Sequence, residues 1–182
     1  VSGPTPETRL VEGRLVVDDL DAFLASLESI REETGAVVQA FDADRVVDGA
    51  HLRRATRLAA RSIARGEAVA RDPAVEILVY AAGRRQIDRA LDLGVSSGER
   101  RAVLVVADFG GVPGSECPVA DLEAAVESVE GLLVSGPEPT LGEFDAGAVR
   151  DYYGVTDREL DATDGDLADI VHERVALLDV EK

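Results

Sequence analysis

The chain has 182 residues, 46% of them apolar, which suits one globular domain with a sizeable core. Its formal net charge is −17, from 36 acidic against 19 basic residues, and Lys182 is the only lysine among eighteen arginines. A lone terminal lysine argues against P-loop NTPases, protein kinases and Schiff-base or pyridoxal enzymes, each of which needs a lysine within its site. Acidic surplus with lysine depletion fits a protein of a salt-in halophile, and the alternative is an acidic protein that docks on basic partners. No apolar run approaches the roughly 18 residues of a membrane span, so no membrane partner is expected. The polar start, residues 1–8, reads as a disordered terminus without signal-peptide character, leaving residues 9–182 as a single domain. Cys117 is the only cysteine, which excludes an intrachain disulfide and a cysteine metal cluster and suits a cytoplasmic setting.

In chain order, Arg9 to Val17 alternates as a strand does. Asp18 then caps a helix carrying Leu20, Phe23, Leu24 and Leu27 on one face, ended by Gly35. Ala36 to Asp42 reads as a short buried strand. Asp48 caps a second helix that stops at Gly66, and Asp72 with Pro73 opens a third that Gly83 breaks. A fourth helix is expected over Arg84 to Leu93, stopped by Gly94. Arg101 to Ala107 (RAVLVVA) is apolar on both faces, the pattern of a central strand. A loop over Gly110 to Pro118 follows, then a helix over Val119 to Glu130, a short strand over Gly131 to Ser135, and a turn at Pro137 and Pro139. Two helices, around Asp145 to Tyr153 and Gly165 to Leu178, finish the chain. The sum is an α+β fold, a small and mostly antiparallel sheet covered by several helices.

No catalytic constellation emerges. His51 and His172 are the only histidines, far apart in sequence and without a partner at ligand spacing, so surface or capping roles are expected. Cys117 lies in a Gly/Pro-rich loop with no base nearby, which suits an inert thiol. The acidic run Asp161 to Asp169 fails the calcium-loop pattern, because Gly165 as sixth residue places Leu160 first and Val171 twelfth. It reads instead as an acid-rich helix N-terminus. No cofactor and no metal is expected.

The chain breaks its own charge rule between Arg45 and Arg101. Twelve arginines stand there against seven acids, a local +5 that leaves −22 elsewhere. Arg53, Arg57, Arg61 and Arg65 recur every four residues, one stripe along the second helix with no acid among them. Either acids from elsewhere in the fold cover that stripe or it faces a partner. Arg84 and Arg85, taken as opening a helix, stand where the dipole disfavours cations by roughly 0.3–1 kcal/mol. Two guanidinium forks beside free helix N–H groups suit a phosphate. Gln86 offers base-edge hydrogen bonds, and Tyr80 is either a stacking surface or a core residue. The third helix is apolar nearly all round, so it is buried or covered by a partner.

Ala70-Arg71-Asp72 with Ala74 to Ile87 (AVEILVYAAGRRQI) resembles the archaeal form of the kinase-binding subunit of the KEOPS complex, the family of the human PRPK-binding protein. Gln39 to Asp42, Ala90-Leu91, Gly94-Val95 and Glu173 to Val180 support the likeness, which runs from about Leu10 to Val180. Eukaryotic members carry an asparagine-rich stretch where this chain has Arg84-Arg85-Gln86, and the Asp108 to Pro118 loop is peculiar to this sequence. The resemblance implies a non-enzymatic subunit of a complex that makes threonylcarbamoyl-adenosine in tRNA. Such a subunit binds and stimulates a small atypical kinase and works indirectly with a separate transferase subunit. It also implies capture of the tRNA 3′ CCA end, and the residues expected to grip it are Arg71, Arg84, Arg85, Gln86 and Ile87. Arg57, Arg61, Arg65, Tyr80 and Arg89 are further candidates for RNA or partner contact. The competing expectation is a pure protein-interaction module whose arginines meet an acidic kinase and never RNA.

Overall fold

The computed structural model describes residues 3–181; Val1 and Ser2, within the expected disordered terminus, and Lys182 lie outside the described residues. Three strands form one sheet: β1 (Thr8–Val17), β2 (Val37–Asp42) and β3 (Gly98–Ala107). The order is β1–β3–β2 with both pairings antiparallel. β3 is central, as its two apolar faces require. Val103, Val105 and Ala107 pack on one side of the sheet, Ala102, Leu104 and Val106 on the other.

Among the described residues there are eight α-helices. On the Val103 side lie α2 (Gly49–Ala64), α3 (Pro73–Ala82) and the short α4 (Ile87–Leu91), joined there by α8 (Leu167–Glu181). On the Leu104 side lie α1 (Leu20–Thr34) and α5 (Leu122–Glu130). α6 (Ala146–Tyr153) packs with α8 in a third cluster around Val149, Tyr153, Ile170 and Val171, and α7 (Asp157–Ala162) precedes α8. The α+β architecture is the one its sequence pattern implies. Among the described residues, no helix is long and apolar enough to cross a membrane.

Several details differ from the sequence pattern, among them a helix it did not offer, α7 (Asp157–Ala162), between the two expected to finish the chain. The cap of α1 is Asp19, whose carboxylate accepts from the Ala22 N–H at 3.3 Å, rather than Asp18. β1 already begins at Thr8, and Pro6 before it is buried. The expected strand over Gly131 to Ser135 is reduced to one bridge, Arg14 to Val134. The fourth helix starts three residues later than its composition suggests, for a reason that bears on the site. Of the acidic run Asp161 to Asp169, Asp161 lies in α7 and only the later part forms the expected acid-rich N-terminus of α8. Asp166 and Asp169 exchange hydrogen bonds, each carboxylate accepting the other's backbone N–H at 2.9 and 3.1 Å.

Candidate partner-binding site

The arginine-rich segment folds as a hairpin of α2 and α3 followed by α4. At its turn, Glu76 in the first turn of α3 is fully buried. Its carboxylate accepts hydrogen bonds from Ser62 Oγ at 2.9 Å and from the N–H groups of Val69 and Ala70, both at 3.0 Å. A buried carboxylate needs such donors, and these fasten the connection that presents Arg71. Asp72 caps α3 through the Ala74 N–H at 2.9 Å and holds Arg31 of α1 at 2.8 Å. Arg71 itself is exposed.

α3 ends in a Schellman turn: the N–H of Gly83 reaches the Tyr80 carbonyl, and that of Arg84 reaches the Val79 carbonyl at 3.2 Å. Gly83 sits at φ +63° with the Arg174 backbone oxygen 3.1 Å from where a Cβ would stand, so glycine is required twice over. Arg84 and Arg85 therefore leave one helix rather than open the next. α4 starts at Ile87 with Gln86 as an N-cap that makes no side-chain cap bond, and it is only five residues long. Arg84 and Arg85 thus stand before the first turn of α4 and do not form it, which corrects the expected helix start.

Arg84 has an internal task. Its Nη2 donates to the Tyr152 carbonyl and its guanidinium lies 5.2 Å from the Tyr152 ring centroid. Arg45 lies 5.5 Å from the same ring and donates to the Asp92 carbonyl at 2.6 Å. The Tyr152 hydroxyl donates to the Arg89 carbonyl at 2.7 Å. Burial pushes the Tyr152 phenol up to about 12, so it remains a donor throughout the working range. One tyrosine of α6 thus staples the stretch from Arg84 to Asp92.

Beside it, Ala81's carbonyl accepts from His51 Nε2 and from the Tyr153 hydroxyl, both at 2.8 Å. The Val47 N–H donates to His51 Nδ1 at 3.4 Å, which fixes the neutral tautomer. Burial pushes His51 down to about 4. His172, remote in sequence, comes within 6.2 Å of the His51 ring and contacts both Asp48 oxygens at 3.0 Å. Burial alone would raise the Asp48 carboxyl, but the hydrogen bonds of His172 and of the His51 N–H bring it below the usual range. The surface or capping role expected of the histidines fails for His51, which is fully buried, and holds for His172, which contacts Asp48, the cap of α2. Among the described residues, no group of three or more His, Cys, Asp or Glu side chains is arranged to hold a metal.

The ten candidate residues fall into two sets. Tyr80 is 1% exposed and its hydroxyl donates to Asp179 Oδ1 at 3.3 Å, so it is a core residue and no stacking surface. Arg61 is largely covered and lies 3.5 Å from Asp179 of α8, which answers part of the α2 stripe with an acid from elsewhere. Arg84 is committed to Tyr152. By contrast Arg57, Arg65, Arg71, Arg85 and Arg89 are exposed, as are Gln86 and Ile87. Among the described residues no carboxylate forms an ion pair with those five arginines. Arg71 and Arg85 flank opposite ends of α3, whose ten residues rise about 15 Å.

Tyr152, Arg45 and Glu76 are the organising residues that sequence reasoning passed over. Glu76 left a signal, as the only charge on an otherwise apolar helix. Tyr152 left none in its own neighbourhood. Compared with known families, residues 16–179 match the family described as "Kinase binding protein CGI-121". No curated protein matches the chain.

Proposed function

Because this chain belongs to the CGI-121 family of kinase-binding proteins, we propose that it joins its kinase to tRNA within the KEOPS complex by gripping the tRNA 3′ CCA end. Kinase binding without catalysis, as a KEOPS subunit, is the family's role. The tRNA contact is our extension of it. The observation that carries it is the exposed strip Arg85 to Arg89, whose two arginines form no ion pair among the described residues, although Asp88 stands between them, in a chain of net charge −17. Flexible single-stranded ends are held by phosphate contacts and base packing, and this strip offers cations, an amide and an apolar side chain on a stapled backbone. Arg84 acts within this reading through position, holding the strip to Tyr152. Arg71 adds a further cation at the far end of α3, and Arg57 and Arg65 offer further phosphate contacts along α2. The transferase subunit is reached indirectly, through the kinase.

The composition supports a salt-in archaeal cytoplasm as the setting. There the Debye length is about 3 Å or less, so diffuse attraction is lost and only close forked contacts act. The experiment compares tRNA with and without its 3′ CCA, on wild type and on Arg71→Glu/Arg85→Glu, at low and multimolar salt. Wild type is expected to favour the intact end by about tenfold or more, and the variant to lose that preference. Equal affinity in all four combinations overturns the proposal and leaves a purely protein-binding module.

A further inference from the structure

Arg53, Arg54 and Arg57 of α2 share a polar cavity of about 530 Å³ with Thr5 and with Asp169 and His172 of α8. None of the three arginines forms an ion pair among the described residues. Arg53 donates to the Thr8 carbonyl at 3.2 Å, while Arg54 and Arg57 make no side-chain hydrogen bond among those residues. Like charges three and four positions apart destabilise the helix that carries them, so this cluster calls for a counter-charge. The nearest carboxylates are engaged elsewhere. Asp48, which does not line the cavity, is held by His172 and by the His51 N–H. Asp169 accepts the Asp166 N–H at 2.9 Å.

Charge and position narrow the ligand. Three guanidinium groups line the cavity against one carboxylate, Asp169, a surplus of two positive charges. A phosphomonoester carries about −1.5 to −2 at neutral pH, whereas each phosphodiester within a nucleic-acid strand carries a single charge. The surplus therefore suits a terminal phosphate, whose oxygens guanidinium forks grip in pairs. The cavity also stands at the same end of the α2–α3 hairpin as the Arg85 to Arg89 strip. His172 comes within 6.2 Å of the His51 ring, and His51 meets the Ala81 carbonyl at 2.8 Å. Arg85 follows Ala81 by four residues, at most about 14 Å of chain.

Resting on the tRNA-end reading above, we propose that this cavity is a phosphomonoester site that receives the 5′-terminal phosphate of the tRNA. In a tRNA that phosphate sits where the acceptor stem gives way to the unpaired 3′ tail. Three tail nucleotides cover about 10 Å when stacked and more when splayed, which matches a cavity and a strip at one end of a helix pair. Arg54 and Arg57, free of other partners, take the phosphate oxygens, and Arg53 adds a third charge from its bond to Thr8. The strip then holds the tail while the cavity checks that the other strand ends there.

The test measures affinity for one tRNA with its 5′ phosphate kept or removed by phosphatase, and with its 3′ CCA kept or omitted. Wild type is compared with Arg54→Gln/Arg57→Gln, and circular dichroism checks that the variant folds. Wild type is expected to bind the 5′-phosphorylated tRNA about tenfold more tightly than the 5′-hydroxyl form, and the variant to bind the two within about twofold. The ratio between the two RNAs is the readout, so a general loss of attraction in the variant does not mimic the effect. Equal affinity of wild type for both 5′ forms overturns the site, whether or not the variant folds, while a CCA preference keeps the tRNA-end reading. A 5′ preference that survives in the folded variant places the phosphate elsewhere and equally overturns it. A 5′ preference without a CCA preference keeps the site and removes the reading at the strip. Mass spectrometry of the protein from its native cells tests the other source of a phosphomonoester: a phosphoryl group on Thr5 would fill the cavity from within and overturn the RNA assignment.

Discussion

The two ends of α3 each present arginines from a short connection, yet opposite chemistry holds them. At the N-terminal end a single carboxylate of α3 itself, Glu76, gathers the turn by accepting the Val69 and Ala70 N–H groups. At the C-terminal end the holding groups come from other elements: His51 of α2 and Tyr153 of α6 on the Ala81 carbonyl, and Tyr152 of α6 on Arg84 and Arg89. The first end is fastened by local charge, the second by distant aromatic and imidazole groups. Arg84 and Arg85 show what this does to neighbours of identical chemistry: one is fixed inside the protein and the other is left to solvent.

The sharpest way to break the comparison is to remove Glu76. Glu76→Ala leaves the Val69 N–H, the buried Ala70 N–H and the buried Ser62 hydroxyl without this acceptor and is expected to lower stability by about 3–4 kcal/mol in urea unfolding. Amide exchange is expected to quicken at Val69 and Ala70 first, while the Arg84 to Asp92 stretch stays protected. Acid probes the other end. His51 is held at about 4 in the folded protein against 6.5 unfolded, so the unfolded chain takes up its proton first as pH falls. Stability from this group is complete above about pH 6.5 and is lost on the way down to about pH 4, some 3 kcal/mol in all. Urea midpoints measured across that window follow it, and His51→Asn flattens the dependence. The lowered Asp48 carboxyl adds a further loss at still lower pH, with the same sign. A smaller effect comes from Tyr152→Ala, which removes the ring beneath Arg45 and Arg84 and the bond to the Arg89 carbonyl. We expect a cost of about 2 kcal/mol in thermal unfolding, with amide exchange quickened through Arg84 to Asp92 and not at Arg71.

This contrast also explains what the sequence made legible. Asp48, Asp72, Gly35 and Gly83 act within a turn of their own positions, so the bounds of α2 and α3 and the end of α1 followed from local rules. β3 was recognisable as central because its apolar residues occupy both faces. The start of α4 was misplaced because the Schellman turn at Gly83 and the pull of Tyr152, 68 residues beyond Arg84, reshape a stretch whose composition alone suits a helix. The strand expected over Gly131 to Ser135 had the right residues but finds only Arg14 as a partner. At the site, the arginine surplus was plain in the sequence, and its division into committed and free members was not. Which arginine meets Asp179 or Tyr152 depends on where α6 and α8 pack.

The central claim is that the exposed strip from Arg85 to Arg89, and not the committed Arg84, meets the tRNA end. It is tested most directly by titrating an acceptor-stem RNA, with and without its 3′ CCA, into isotope-labelled protein while following each backbone amide. Our account predicts shifts at Arg85, Gln86 and Ile87 that appear only with the CCA-bearing RNA. Identical shifts with both RNAs, or none in that strip when the intact RNA binds, would contradict it.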